Sequence, residues 1–273
     1  MRFAGGRLAR RPALDLVKLP TILRTLADTR PDVVINTAAY TAVDKAEAEP
    51  EAASALNCDG ARLIAEATAA RGIALVHVST DYVFDGRGAR PYRVDDATGP
   101  RSEYGASKRL GEEAALAYAK AAVVRTSWLF GPGGPNFVRA IAGQVEKRVA
   151  TGDATPLRVV ADQTGCPTYT PFLARGLWDL SARKVSGVFH YCNREATSWH
   201  GLASEIVASL RPELRVEPVS TAEFPRPAAR PAYSVLDVSR FQETVGRIVE
   251  PWRRGLDEYL EHLSSETQGR KHS

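Results

Sequence analysis

The sequence predicts an α/β protein built on a doubly wound parallel sheet, followed by a smaller carboxyl-terminal α/β cluster. Three observations lead there. Short apolar runs rich in β-branched residues recur at 32–36, 72–78 and 121–126. Stretches with helical spacing lie between them, and strand–helix alternation of this kind joins parallel strands through crossover helices. Two of the runs end in small or hydroxyl-bearing residues, Thr37-Ala38-Ala39 and Ser79-Thr80. In an open α/β sheet that carboxyl edge is where ligands sit.

Taken in order, residues 1–11 open with Arg2-Phe3-Ala4, the stub of a strand, and Gly5-Gly6-Arg7, which opens no helix. Asp15 and Leu16 precede a helical stretch over 19–29, closed by Arg30-Pro31. The strand at 32–36 runs into Thr37-Ala38-Ala39-Tyr40-Thr41. Those residues either let a flat ligand approach the backbone or make a tight turn on a helix. After the polar stretch 42–50, apolar or small residues at 53, 56, 60, 61, 64 and 68 predict a helix over 51–70. The next strand follows, then a loop over 87–102 rich in Gly, Pro, Arg and Asp, long enough for a substrate-facing flap. A helix from 104 to 119 and the strand 121–126 complete the first half.

Beyond it, Trp128 stands beside a Gly/Pro loop at a strand end, where an aromatic either stacks on a ligand ring or packs into the core. A helix over 137–148, a strand at 157–160, a polar turn at 162–168, a helix over 170–183, a strand at 187–191 and a helix from Ser198 make the second cluster. Residues 213–232, rich in Pro and Arg, are expected to be irregular. A short helix from Ser239, an amphipathic one over 252–263 and a frayed tail from 268 end the chain.

Composition narrows the class. The 273 residues are 44% hydrophobic and 25% charged, values of a soluble globular protein of one large domain or two intimate ones. No apolar run approaches a membrane span, and no signal-peptide pattern opens the chain. The formal charge of +4 suits an anionic small substrate and gives no argument for nucleic acid. Cys58, Cys166 and Cys192 are odd in number and far apart, which points to free thiols in a reducing compartment.

The chemistry concentrates between 79 and 108. Tyr104 and Lys108 are spaced i, i+4, so on a helix they share a face. A phenol titrates near 10, and a neighbouring ammonium favours the phenolate, so Lys108 is expected to draw Tyr104 toward acid–base strength near neutral pH. A hydroxyl from the Ser79-Thr80 strand end would reach the same substrate oxygen. Such a site transfers a proton to a carbonyl or from an alcohol.

The blocks Ser79-Thr-Asp-Tyr-Val-Phe-Asp-Gly86 and Tyr104-Gly-Ala-Ser-Lys108 carry a resemblance. With Asn36-Thr-Ala-Ala-Tyr-Thr-Ala-Val-Asp44, Arg125-Thr-Ser-Trp128, Asp162-Gln-Thr-Gly-Cys-Pro-Thr168 and Arg230-Pro-x-x-Ser234-x-Leu236, the chain resembles the dTDP-4-dehydrorhamnose reductase family of extended short-chain reductases, from 13 to 263. The resemblance implies a Rossmann-like dinucleotide-binding domain over 1–133 and a mainly substrate-binding domain over 134–273, with segments returning to the first sheet. It implies NADPH- or NADH-dependent reduction of the 4-keto group of dTDP-4-dehydro-β-L-rhamnose in the cytoplasm. Tyr104 would donate the proton, Lys108 would hold the nicotinamide ribose, and Thr80 would tune the transfer. Thr80 and Asp81 would touch the sugar, and Trp128 would line the sugar-nucleotide pocket. Asp15 and Leu16 match an adenine-side contact; Ala39, Tyr40 and Thr41 match further cofactor contacts. Arg230 suits a diphosphate clamp, or a surface salt bridge. Some relatives are magnesium-dependent dimers, so Mg2+ and a homodimer stay open, with no residue assigned to metal; no nucleic-acid or membrane partner is expected.

One departure stands out. The family's opening strand, glycine-rich turn and helix have no counterpart in residues 1–14, where the turn would cradle the pyrophosphate. Either the recorded start is internal to a longer reading frame, or the protein is shortened. The chain as written is accordingly expected to bind cofactor weakly, to expose apolar surface on the strands at 32–37 and 73–78, and to show little activity. Two rivals remain. One is a non-catalytic relative, as in a regulatory subunit of methionine adenosyltransferase; the other is an epimerase or dehydratase on another nucleotide sugar. The intact Thr80, Tyr104 and Lys108 favour an enzyme.

Overall fold

The computed structural model describes residues 14–271, with side chains through 266. The strand stub at Arg2-Phe3-Ala4 and the Gly5-Gly6-Arg7 turn lie outside the described residues. The main sheet has four parallel strands. In chain order the strands longer than two residues are β1 (Val33–Asn36), β2 (Ala74–Thr80), β3 (Ala121–Thr126), β4 (Leu157–Val160), β5 (Gly187–His190) and β6 (Val216–Val219). The sheet order is β1-β2-β3-β5, with Val33 opposite Ala74, Leu75 opposite Ala121 and Ala122 opposite Gly187. Because all four are parallel, Asn36, Thr80, Thr126 and His190 end at one edge. The loops that could bind a ligand therefore start side by side.

Alternation along the strands sends apolar residues to both faces, as a doubly covered sheet requires. Leu75, Ala121 and Val123 pack with Ile22 and Leu26 of α1 (Leu19–Thr29) and with Ile64. Val76, Ala122 and Val124 face the other way, onto Ile141, Leu173, Leu177 and Ile206. The helix expected over 51–70 is one run, α2 (50–69), whose Pro50–Ser54 and Gly60–Ala69 segments flank a π turn at Ala55–Asp59. The widened turn rotates Asn57 out of helical register and into the interior. Beside it runs α3 (Glu103–Leu116), started by Ser102, whose Oγ accepts the Gly105 N–H at 3.1 Å.

Four expectations change. The strand at 187–191 does not stay in the second cluster; as β5 it pairs with β3 in the main sheet. Residues 213–232 are not wholly irregular. Val216–Val219 forms β6, parallel to β4, and Pro218 hid it; a proline is tolerated here because an edge strand can spare an N–H. Third, apolar surface is not uncovered at 73–78, where Ile73, Ala74, Leu75 and Val76 are buried; of the two strands only β1 shows a large apolar residue, Ile35, exposed. The carboxyl-terminal helix, Trp252–Lys271, continues through most of the tail expected to fray. No helix among the described residues is long and apolar enough to cross a membrane.

The contact between α2 and α3 is close enough to test. A Cβ added at Gly111 would lie 2.1 Å from the Asn57 carbonyl oxygen, so only glycine allows the two helices to approach there. Gly111→Ala is expected to cost about 1–3 kcal/mol, the usual range for overpacking. Urea denaturation reads it; an unchanged midpoint would show that the helices separate freely.

Candidate active site

β2 delivers Thr80 to the sheet edge, and a 3-10 turn, Asp81–Val83, follows at once. The Thr80 hydroxyl accepts the Tyr82 N–H at 3.2 Å and donates to Asp81 Oδ1 at 3.0 Å. Opposite it, the first turn of α3 presents Tyr104. The phenol lies beside Thr80, and its ring meets Tyr82 edge-on with centroids 5.5 Å apart. Gly105 permits this approach, since a Cβ there would sit 2.3 Å from the Tyr82 carbonyl oxygen. Burial pushes the Tyr104 phenol up to about 12, the Thr80 hydroxyl pulls it down, and Asp81 pushes it up. Tyr104 therefore holds its proton at neutral pH.

That corrects the expected role of Lys108. Its Nζ donates to the Val78 carbonyl at 2.7 Å, back along β2, and the ammonium is not among the groups acting on the phenol. Burial lowers Lys108 to about 8, while Glu112 one turn on opposes the shift. In this structure Lys108 braces the strand end instead of ionising Tyr104.

The loop expected to meet the cofactor is built from below. Asn36 donates to Nδ1 of His77 at 3.1 Å and accepts the Ala38 N–H at 3.1 Å. His77 is held well below its usual value, first by burial and then by Lys108, so it is neutral and its Nδ1 is free to accept. Asn57, out on its π turn, accepts from Tyr40 N at 2.8 Å and donates to Tyr40 O at 3.1 Å. It also lies 3.0 Å from the hydroxyl of Ser107, between Tyr104 and Lys108 on α3. One amide thus fixes the loop at 39–41 relative to the catalytic helix. Leu16 packs further along α2, on Gly60, and the neighbouring Asp15 accepts the Val17 N–H at Oδ1.

Beneath the edge lies a buried ion pair. Glu112 of α3 and Arg125 of β3 are bonded through both carboxylate oxygens, at 2.9 Å from Nε and 2.7 Å from Nη2. Both are nearly inaccessible, at 3% and 5% exposed. The same guanidinium lies 3.4 Å from the Val94 carbonyl in the flap and 5.0 Å from the Phe84 ring centroid. The sequence offered a signal for Glu112, its i+4 spacing from Lys108, but none for Asn57.

The substrate-side residues are partly gathered. Asp81 is buried beside Thr80, with the Ser234 hydroxyl of the 228–236 segment near its carboxyl. Trp128 adopts a left-handed backbone (φ 48°) and stacks on Trp199, with centroids 3.5 Å apart and planes 5° from parallel. One face of its indole is thus taken by protein, and Trp199 is a partner the sequence did not reveal. Arg230 is engaged too: its Nη2 pairs with Asp44 at 2.9 Å, while Asp44 also accepts the Ala228 N–H. Of its two readings, the salt bridge is the one seen, and it ties the strap at 228–236 to the cofactor-side loop. That strap forms isolated bridges from Tyr233 to Arg87 and from Leu236 to Tyr92, closing over the catalytic turn. Among the described residues no group of three or more His, Cys, Asp or Glu could hold a metal ion. Cys58, Cys166 and Cys192 are free thiols, as expected.

A parallel sheet with a protonated tyrosine and a lysine one turn apart at its carboxyl edge defines an oxidoreductase of the short-chain reductase class. The model of the RmlD substrate binding domain matches residues 6–265. The dTDP-4-dehydrorhamnose reductase of Streptomyces griseus is 43% identical over 90% of this chain and 81% of its own length. A probable dTDP-4,6-dihydroxy-2-methyloxan-3-one 4-ketoreductase of Streptomyces antibioticus is 43% identical over 90% and 82%. The crystal structure of the dTDP-4-dehydrorhamnose reductase of Bacillus anthracis in complex with NADP superposes with a TM-score of 0.85 at 34% identity, covering 92% of this chain and 87% of that one. The chain belongs to the dTDP-4-dehydrorhamnose reductase family.

The ion pair generates a stability test. Arg125→Met leaves Glu112 buried without its partner, a loss of about 3–5 kcal/mol. Replacing both with methionine removes both charges together, and the pair is expected to cost less than Arg125→Met alone. Thermal or urea unfolding of the three proteins decides it; a double variant weaker than Arg125→Met would contradict the assignment.

Proposed function

We propose that this chain reduces the 4-keto group of a dTDP-linked 4-dehydro-6-deoxyhexose, dTDP-4-dehydro-β-L-rhamnose in the first place, to the alcohol. The observation that carries the reading is the Tyr104 phenol: protonated, desolvated and set beside Thr80 at the ligand-binding edge of the sheet. A carbonyl that accepts a hydride needs a proton on its oxygen in the same event, and Tyr104 can supply it. A nicotinamide dinucleotide, NADPH or NADH, supplies the hydride when bound. The residues present suit it: Ala38 and Ala39 offer only methyl groups beside the loop backbone, Asn57 holds that backbone still, and Lys108 lies one helical turn from the acid. Thr80 and Asp81 line the sugar end, and Trp128 with Trp199 walls the far side. Arg230 would meet a diphosphate only by leaving Asp44. Mg2+ has no group of side chains to support it among the described residues.

The same reduction on a different dTDP-linked keto sugar is the second reading, supported by the ketoreductase of Streptomyces antibioticus among the relatives. Competition between the two keto sugars for turnover separates them. Within either reading, Tyr104→Phe removes the proton donor and keeps the ring. Turnover should fall by about 10²–10⁴, the range for a positioned acid, with sugar-nucleotide binding nearly unchanged by calorimetry. Turnover within a factor of about three of the unsubstituted protein would remove Tyr104 from the chemistry.

A further inference from the structure

The polar stretch before α2 is built into the site. Val43–Ala46 make one helical turn, and Ala46, fully buried, packs in one cluster with Ala53 and Tyr104. Val43, Tyr40 and Tyr82 close the same cluster. Tyr104 thus rests on the 43–46 turn as well as on its own helix.

Three acidic side chains of this stretch each bond to a different element. Asp44 accepts from Arg230 at 2.9 Å and from the Ala228 N–H at 3.2 Å, both in the strap. Glu49 accepts the Tyr40 hydroxyl at 2.8 Å, in the loop expected to meet the cofactor. Glu47 reaches the catalytic helix itself. Its Oε1 accepts the N–H of Glu103, the first residue of α3, at 2.9 Å.

That last bond differs in kind from the other cap on this helix end. The opening N–H groups of a helix have no partner within it. Ser102 satisfies one of them, that of Gly105, but Ser102 adjoins α3 in the chain and moves with it. Glu47 stands 56 residues earlier, so its bond holds the first turn of α3 to a separate part of the molecule. An acidic side chain also suits a helix N-terminus, where the peptide dipoles present their positive ends. Tyr104 is the next residue after Glu103. Further along the same helix Glu112 is fixed to Arg125. One contact before Tyr104 and one beyond it therefore define the line of the helix between them.

We propose that Glu47 is a positioning residue for proton transfer: by holding the first turn of α3 against the 43–46 turn, it sets the distance of the Tyr104 hydroxyl from the substrate oxygen. The inference rests on the reductase reading. Glu47 takes no part in the path of the proton. A displacement of about 1 Å at a reacting group can cost about a hundredfold in rate, so a bond to the neighbouring residue is enough to matter. The effect falls on kcat, because the ligand-side groups keep their own bonds when Glu47 is lost: Tyr40 with Asn57, and Arg230 with Asp44.

Two variants and two readouts test this. Glu47→Ala should lower kcat by about tenfold to a hundredfold, with KM for cofactor and keto sugar within about threefold of the unsubstituted protein. Glu47→Gln keeps an Oε1 that can accept the Glu103 N–H, so it should restore kcat to within about threefold. A Glu47→Ala protein that loses melting temperature but not kcat would make Glu47 a structural cap and overturn the proposal. So would a Glu47→Gln protein as slow as Glu47→Ala, or KM values that rise as kcat falls. Amide exchange followed by NMR reads the anchor without turnover: the Glu103 N–H should exchange severalfold faster in Glu47→Ala and at its original rate in Glu47→Gln. Equal exchange in all three proteins would remove the anchor whatever the activity. If the unsubstituted protein reduces no keto sugar, the reductase reading fails and takes the catalytic role of Glu47 with it, even where the exchange result shows the anchor itself.

Discussion

The Glu112–Arg125 pair is the constraint on which the catalytic edge depends. Glu112 lies one turn beyond Lys108 and two beyond Tyr104 on the same helix, and Arg125 lies beside Thr126 at the end of β3. Two parallel hydrogen bonds between planar groups fix distance and rotation together, which a hydrophobic contact would not. The rotation of the helix about its axis is therefore set against the sheet, and with it the direction of the Tyr104 ring. Because the guanidinium also reaches the Val94 carbonyl and the Phe84 ring, the flap and the catalytic turn share that reference. Burying two charges is costly and gives little net stability, so their gain is one of geometry.

Around that anchor the site is organised by protonation. Burial acts on each titratable group in the direction that leaves it neutral: up for Tyr104 and Asp81, down for Lys108 and His77. A dry edge of this kind makes every hydrogen bond directional, because no water competes for the donors. Asn57 and His77 then work as fixed acceptors and donors under the loop at 39–41. The Asp44–Arg230 bridge fastens the strap above. It links the cofactor side to the substrate side through the chain itself.

How much of this was legible in sequence depends on range. The alternation of runs predicted the parallel sheet, and the i, i+4 spacing put Tyr104 and Lys108 on one helix face beside the Thr80 strand end. What spacing could not show was direction. Lys108 looked like the group that would ionise the tyrosine, but its side chain reaches back to Val78, a contact 30 residues away in sequence. Asn57 was hidden because a π turn breaks the 3.6-residue count that helical patterns rely on. Val216–Val219 was hidden by its proline, and Trp199 by distance, since the indole it stacks on lies 71 positions earlier. Arg230 carried two readings with equal chemistry, and its sequence neighbours gave no sign of Asp44, the partner it has in the structure.

The central claim is that the edge built by β1, β2 and α3 carries out hydride and proton delivery to a sugar ketone. Deuterium transfer tests it most directly. The protein is incubated with dTDP-4-dehydro-β-L-rhamnose and reduced nicotinamide cofactor deuterated at C4, in millimolar excess. The account predicts one deuterium on C4 of the product sugar and none from the solvent on carbon. Deuterium drawn from heavy water onto C3 or C5 would mean an epimerase, and an unchanged keto sugar would mean a protein that keeps the fold without the chemistry.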